Sequence, residues 1–457
     1  MADARAAALA ALLAIEAGQP AAQALHAALQ GLADPRERAL ATELAYGVTR
    51  QRGALDAALA PLCTRPLPGL DAPIRAALRL GLYQLRHLDR VPPYAAVASS
   101  VELARRHGRP GTAGLVNAVL RRAAAAAPRP APPAARSDPE GWIAAQSAAH
   151  AHPAWIVRRW LARLGPEATV ALLQADNRPP PVTLRANLLR TDPGALHAEF
   201  AAAGLTCRPG ALLPEALRLE RSGDPGALPA LREGRCTVQG EASMLVAHVA
   251  APRSGSLCLD VAAAPGGKAT HLAERMGDRG TVVANDLDPA RAALCAEAAA
   301  RLGLGCVRTR VGDARRLPAE FAGRCDVVAA DLPCSGLGTL AARPDLRWRK
   351  RESDLAVLAA LQSELLAASG RCVKPGGVLV YSTCTTEPEE NEAVVAGFLA
   401  AHPDFEPLDL RNRLPAPLAA EPSARAGFIR LWPHVHTTEG FFIAVLGRNL
   451  GGSDRAC

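Results

Sequence analysis

Two cysteines close apolar, strand-like runs. Cys334 ends Asp326-Val-Val-Ala-Ala-Asp-Leu-Pro-Cys334, and Cys384 ends Gly377-Val-Leu-Val-Tyr-Ser-Thr-Cys384. A cysteine attacks as its thiolate, so its neighbourhood decides whether it is a nucleophile. For a lone thiol, inert packing is the better reading. Two thiols at the ends of successive strands shift that balance toward chemistry. Upstream, Asp260-Val-Ala-Ala-Ala-Pro-Gly-Gly-Lys268 runs from a strand into a Gly-rich turn that permits close backbone approach to a ligand. It is not a phosphate-binding Walker loop, because Ala262 and Ala269 stand where that pattern needs Gly and Ser or Thr. Asp286 follows about 20 residues beyond the turn, where a carboxylate meets ribose hydroxyls. Asp313 follows the next strand. The trio suits a nucleoside-containing cofactor; the competing reading makes both acids ordinary caps after strands.

These residues need a sheet to bring them together. From about residue 241 the pattern is β-α-β-α, with strands over 257–261, 281–284, 306–310, 326–330 and 378–382, and a final one over 440–446. Helical stretches cover 268–276, 289–302 and 353–373. Alternating strands and helices imply a doubly wound, mostly parallel α/β sheet. Such sheets bind ligands beyond the carboxyl ends of their strands, near the point where strand order reverses. One crevice is therefore expected to hold the Gly-rich turn and both thiols. Residues 1–127 read as an all-helical module, with a helix starting at Asp34-Pro35 and stopping near Gly47, and others over 73–85, 94–106 and 114–127. Residues 128–140 form a Pro-rich linker. Residues 141–240 read as a small α+β extension, with helices over 153–164 and 166–176, a strand over 182–187 and a helix over 193–203. Residues 241–450 form the large sheet domain.

The 457 residues carry a net charge of +8, mostly through arginine, which suits a polyanionic partner. An Ala/Arg/Pro/Gly-rich composition weakens that inference. The 11 cysteines include no C-x-x-C pair, so no zinc ribbon or dithiol redox motif is expected. Cys258, Cys295 and Cys372 lie in apolar runs and read as packing thiols. His434 and His436 lack a third ligand at recognisable spacing, so no metal is expected. Asp3 and Glu16 argue against a signal peptide, and no run is long enough to span a membrane. A cytoplasmic monomer is expected. The loop Pro344-Asp-Leu-Arg-Trp348-Arg-Lys-Arg351 reads either as a contact for phosphate and bases or as a solvated cationic loop.

Together these residues resemble the RNA cytosine-5 methyltransferases of the Sun family, in particular the bacterial small-subunit ribosomal RNA (RsmB-like) type. The resemblance covers nearly the whole chain. It rests on Ala262 to Lys268, Asp331-Leu-Pro-Cys334-Ser-Gly, Ser382-Thr-Cys384, Arg343-Pro-Asp-Leu-Arg-Trp348 and Glu439-Gly-Phe-Phe442. The N-terminal segments Arg38–Val48, Tyr83–Leu85, Val91–Val97 and Gly114–Arg122 are similar to the NusB-like RNA-binding module fused to this type. The departures are Ala262, often Cys in the family, and Glu439, commonly Asp; neither touches the two cysteines. The resemblance implies a Rossmann-like class I methyltransferase domain preceded by a small RNA-recognition-like extension and a NusB-like domain. It implies S-adenosylmethionine held by Ala262, Ala263, Ala264, Pro265, Gly266, Gly267, Lys268, Asp286, Asp313 and Asp331.

The implied substrate is 16S ribosomal RNA, unassembled or partly assembled. By the same resemblance, Cys384 adds to carbon 6 of the cytosine, Cys334 assists release, and Asp331 hydrogen-bonds the base. Lys268 places positive charge nearby. The target base must be unstacked to expose carbon 6. The rivals are a cytosine-5 methyltransferase acting on transfer RNA, and a non-catalytic RNA-binding ribosome assembly protein.

Overall fold

The structure is a computed structural model that describes residues 3–126, 138–220 and 225–450. The chain forms two compact units. One comprises Met1–Pro179 with Leu340–Glu352, the other Pro180–Thr339 with Ser353–Cys457. None of the described helices is long and apolar enough to cross a membrane.

The first unit is helical: α1 (Ala4–Glu16), α2 (Ala21–Leu29), α3 (Pro35–Leu59), α4 (Ala72–His87), α5 (Pro93–His107), α6 (Thr112–Ala125), α7 (Pro139–His150) and α8 (Ala154–Asp176). Leu44, Leu55, Leu78 and Leu120 lie in its core. Asp34 caps α3, its carboxylate accepting from the Arg36 amide at 2.8 Å. The expected stop near Gly47 is wrong, because α3 continues to Leu59. A Cβ at position 47 would lie 2.1 Å from the Tyr83 ring, so this glycine serves close packing of α3 on α4. Gly165, at φ 75°, and Pro166 break α8 where the sequence places a boundary between two helices. Of the expected linker, residues 128–137 lie outside the described residues; Asp138 caps α7.

The segment Leu340–Glu352 belongs to this helical unit and carries a short helix, α14 (Leu346–Arg349). Arg347 is fully buried. Its guanidinium donates to the carbonyls of Arg50, Ala151, Asp176 and Leu340 and to Asn177 Oδ1. The Trp348 indole N–H donates to Thr49 O at 2.8 Å. The expectation that this loop offers Arg347 and Trp348 to a nucleic acid, or leaves them in solvent, is therefore corrected: both are spent on the helical unit.

The second unit holds two sheets. Strands β1 (Val182–Ala186), β2 (Thr206–Pro209), β3 (Ala216–Glu220) and β4 (Cys236–Val238) form an antiparallel sheet of order β2-β3-β1-β4, accompanied by α9 (Pro193–Ala202) and α10 (Pro229–Arg232). The large sheet contains β5 (Leu257–Asp260), β6 (Thr281–Asp286), β7 (Val307–Val311), β8 (Cys325–Asp331), β9 (Val373–Thr383), β10 (Phe405–Pro407), β11 (Phe428–Leu431) and β12 (Phe441–Arg448). Its order is β10-β12-β9-β8-β5-β6-β7, with β11 beside β12. The run β9-β8-β5-β6-β7 is parallel, and β12 joins it antiparallel to β9. The helices are α11 (Glu241–Ala250), α12 (Gly267–Arg275), α13 (Pro289–Leu302), α15 (Asp354–Gly370) and α16 (Glu392–Ala401).

Successive strand residues enter different cores. Cys258, Val282, Val327, Val380 and Ile443 pack with α11–α13, while Leu259, Val283, Val328, Leu379 and Phe442 pack with α15 and α16. The pleat sends neighbours to opposite faces, and helices cover both, so the strands are apolar throughout. The chain builds β5, β6 and β7 to one side and β8 and β9 to the other. Strand order therefore reverses between β5 and β8, opening a crevice at their carboxyl ends.

Candidate active site

The crevice collects the residues that the sequence singles out. β5 ends at Asp260, and the loop after it folds back on β6: Ala263 N donates to Asn285 O at 2.8 Å, and Ala264 N to Asp286 Oδ2 at 3.2 Å. Gly266 has φ +102°, and a Cβ there would lie 3.0 Å from Cys295 Cα on α13. Here the loop needs glycine for both its backbone and its room. Asp286 Oδ1 also accepts from Asp288 N at 3.1 Å, and Arg291 Nε lies 3.4 Å from the same oxygen. Asp313 lies beside Asp286, since Gly312 N donates to Asp286 O at 2.9 Å. Its carboxylate is engaged by Arg315, whose hydrogen bonds draw it down to about 2.

Asp260 was only the leading acid of the motif in the sequence; in the structure it is the unsatisfied group. It is 1% exposed, and neither carboxylate oxygen has a hydrogen-bond partner. Burial pushes it up to about 7, against the opposing pull of Lys268. The strand end that opens the Gly-rich loop is thus a buried carboxylate lacking a donor.

A second unforeseen residue braces the loop. Arg185, on β1, is fully buried, and its fork clasps the Glu274 carboxylate at 3.0 and 2.7 Å. It also donates to Gly267 O at 2.8 Å, Thr270 Oγ1 at 3.1 Å and Gln239 Oε1. One side chain of the small sheet thereby fixes the first turns of α12, where the Gly-rich loop ends. The local signal for it was an arginine between Leu184 and Ala186 in a strand-like run.

Across the crevice, Asp331 ends β8 and pairs in register with Ser382 on β9. Its carboxylate accepts from Ser382 Oγ at 2.9 Å and holds Lys268 Nζ at 2.7 Å. Burial alone would lower the Lys268 ammonium, but Asp331, Asp260 and Cys384 beside it hold it above the ordinary lysine range. Its Nζ lies 5.6 Å from the centre of the Phe441 ring. The two thiols meet beside this pair, with Cys334 Sγ 3.3 Å from Cys384 Sγ. The hydrogen bond to Cys384, then burial, push the Cys334 thiol well up. The turn after Cys334 is locked by Gly338 N donating to Cys384 O at 3.0 Å and Gly440 N to Gly338 O at 2.8 Å. A Cβ on Gly440 would fall 2.7 Å from Gly338 Cα, which explains glycine in Glu439-Gly-Phe-Phe442.

Residues read as inert behave so: Cys258, Cys295 and Cys372 are buried thiols in the core. His436 bonds Glu421 and the Trp432 amide. Among the described residues one group has ligand-like spacing, Glu215, His248 and His271, within 4.8 Å. Glu215 Oε1 serves both imidazoles. His271 Nδ1 lacks the outer partner that orients a metal-bound imidazole. The group reads as a buried hydrogen-bonded junction.

Comparison with known proteins finds three family models along the chain. The NusB family matches residues 2–125, the RsmF/B-like ferredoxin-like domain 152–224, and 16S rRNA methyltransferase RsmB/F 247–447. A probable ribosomal RNA small subunit methyltransferase B of Bacillus subtilis is 38% identical over 412 residues, covering 89% of this chain and 90% of that protein. The ribosomal RNA small subunit methyltransferase B of Sodalis glossinidius is 38% identical over 377 residues, covering 82% and 84%. The crystal structure of PH0851 superposes with a TM-score of 0.82 at 29% identity, covering 97% of this chain and 98% of that one.

Proposed function

Since the chain belongs to the 16S rRNA methyltransferase RsmB/F family, we propose that it methylates carbon 5 of a cytosine in 16S ribosomal RNA through a covalent Cys384 adduct. The observation that carries this reading is the Cys334–Cys384 pair, 3.3 Å apart beside the Lys268–Asp331 ion pair. Methylation of oxygen or nitrogen needs no adduct with the base and would leave two adjoining thiols without work.

The residues present fit S-adenosylmethionine. Asp260 offers a buried carboxylate without a donor, suited to the ammonium of the amino-acid moiety. Asp286 stands where ribose hydroxyls are met, with Asp313 beside it and Ala262 to Lys268 forming the backbone cradle. When bound, this cofactor supplies an electrophilic sulfonium methyl group.

The chain's own residues make the base reactive. Carbon 5 of cytosine is a poor nucleophile. The Cys384 thiolate forms a bond to carbon 6, moving the double-bond electrons toward carbon 5. Lys268, anchored by Asp331, sets positive charge beside Cys384 and favours the thiolate. Asp331 accepts from the exocyclic amino group and orients the ring. After methylation the carbon-5 proton passes to solvent water, its bonding electrons re-form the double bond to carbon 6, and the carbon–sulfur bond breaks with its pair going to the Cys384 sulfur. Cys334 then donates its S–H to the departing Cys384 sulfur. The base must leave its stack to admit this attack, so a flipped or single-stranded cytosine is the substrate. The net charge of +8 suits an RNA partner.

The test is trapping. Cys334→Ala retains the first addition and accumulates an SDS-resistant RNA–protein complex, whereas Cys384→Ser loses methylation and trapping together. An adduct formed by Cys384→Ser would overturn the assignment. Tritiated methyl transfer to naked 16S RNA and to assembled subunits, followed by mapping of the modified base, tests the substrate.

A further inference from the structure

The residues flanking each cysteine are fastened to one short segment, Glu387-Pro-Glu-Glu-Asn391, between β9 and α16. Glu390 is fully buried. Its Oε1 accepts from Ser335 N at 2.7 Å and Gln362 Nε2 at 3.1 Å, and its Oε2 from Ser335 Oγ at 2.5 Å. Gln362 Nε2 also donates to Pro333 O at 2.9 Å. Both neighbours of Cys334 are thus held. On the other side, Thr383 Oγ1 donates to Asn391 Oδ1 at 2.5 Å, and Asn391 Nδ2 to Thr385 O at 3.1 Å. Both neighbours of Cys384 are held too. The halves join where Ser335 Oγ meets Thr385 Oγ1 at 2.8 Å. Tyr381 OH donates to Glu390 O and secures the segment itself. Ser335, Gln362, Thr383, Thr385 and Asn391 are all 0% exposed, so water cannot replace a lost bond.

We infer that Glu390 is a positioning residue that fastens the two cysteine loops to each other, keeping Cys334 within reach of the Cys384 sulfur while the product is released. This rests on the covalent reading above and deepens it. A carboxylate suits the position because it is acceptor-only, and three donors converge on it. A glutamine there has the same shape but one acceptor oxygen, and its amide must face the Ser335 hydroxyl. The negative charge adds to the hydrogen bond and burial that keep Cys334 protonated.

In the full-length protein with both cysteines intact, Glu390→Gln is expected to lower kcat about tenfold. The SDS-resistant RNA adduct should accumulate at steady state toward the level of Cys334→Ala, with the KM for S-adenosylmethionine unchanged. Adduct build-up separates slowed release from general damage, which lowers adduct and activity together. Glu390→Gln with wild-type turnover and no adduct, or with adduct and activity lost in parallel, would overturn the role. If Glu390→Gln does not fold, Ser335→Ala, which removes only the joining hydroxyl, is judged by the same outcomes. Should Cys334→Ala itself accumulate no adduct, the covalent reading falls, and this role with it.

Discussion

An ionised carboxylate without a donor is costly in a dry pocket, and Asp260 is such a residue. Burial raises it to about 7, with Lys268, Asp331 and Asp286 facing it. The folded protein therefore favours the protonated form. Asp260's contribution to stability is fullest below the ordinary carboxylate range and declines as pH rises toward 7. A cationic ligand has the opposite preference and selects the ionised form. Cofactor affinity is expected to rise with pH through this window, by up to about tenfold per unit. Calorimetric titration with S-adenosylhomocysteine on either side of pH 7 measures it, and Asp260→Asn should flatten the slope. The sequence marks Asp260 as a strand-end acid, but whether such an acid caps a turn or stands alone depends on neighbours from β6, β8 and α12. Asp313 carries the converse lesson: its place after β7 was legible, while its engagement by Arg315 was not.

At the scale of elements, the small antiparallel sheet does structural work for the large one. Arg185 reaches from β1 to α12 and binds Glu274, Thr270 and Gly267 O across separations of more than 80 residues. Arg185→Met would leave the buried Glu274 carboxylate unpaired and cost about 3–5 kcal/mol. Adding Glu274→Met removes the stranded charge, so most of the stability should return. Cofactor affinity should stay weak, because Gly267 O and Thr270 remain unclasped. Thermal melting and S-adenosylhomocysteine titration of the single and double variants check both halves. The order of elements was readable because covered parallel strands are apolar throughout, and because α12 and α13 begin at Gly267 and Pro289. Gly47 misled for an equally physical reason. A glycine in a helical pattern signals either an end or a close approach, and only the Tyr83 ring decides between them.

For the whole molecule, the chain leaves the sheet unit at Thr339, spends residues 340–352 in the helical unit and returns at Ser353. Arg347 anchors that excursion with five hydrogen bonds. Arg347→Met would leave several buried carbonyls without a donor, at roughly 3 kcal/mol. The expected result is a lower melting temperature, with amide exchange accelerating in α3 and α8. An unchanged melt would show that the carbonyls find other donors.

Residue types and their order along the chain already carry the chemistry. A thiol, an acid or a glycine at the end of an apolar strand must emerge at the carboxyl edge of a parallel sheet, because pleat and crossover leave no other place for it. Partnership across the chain is different. Arg347 meets the Arg50 carbonyl 297 residues away, and Ser335 meets Glu390 across 55. Such pairs have no local periodicity, since they depend on how close two loops come after the cores have packed. Packing therefore decides that Cys334 and Cys384 lie in contact, that Asp260 is left without a donor, and that Arg347, in a basic loop with the composition of an RNA contact, is buried instead.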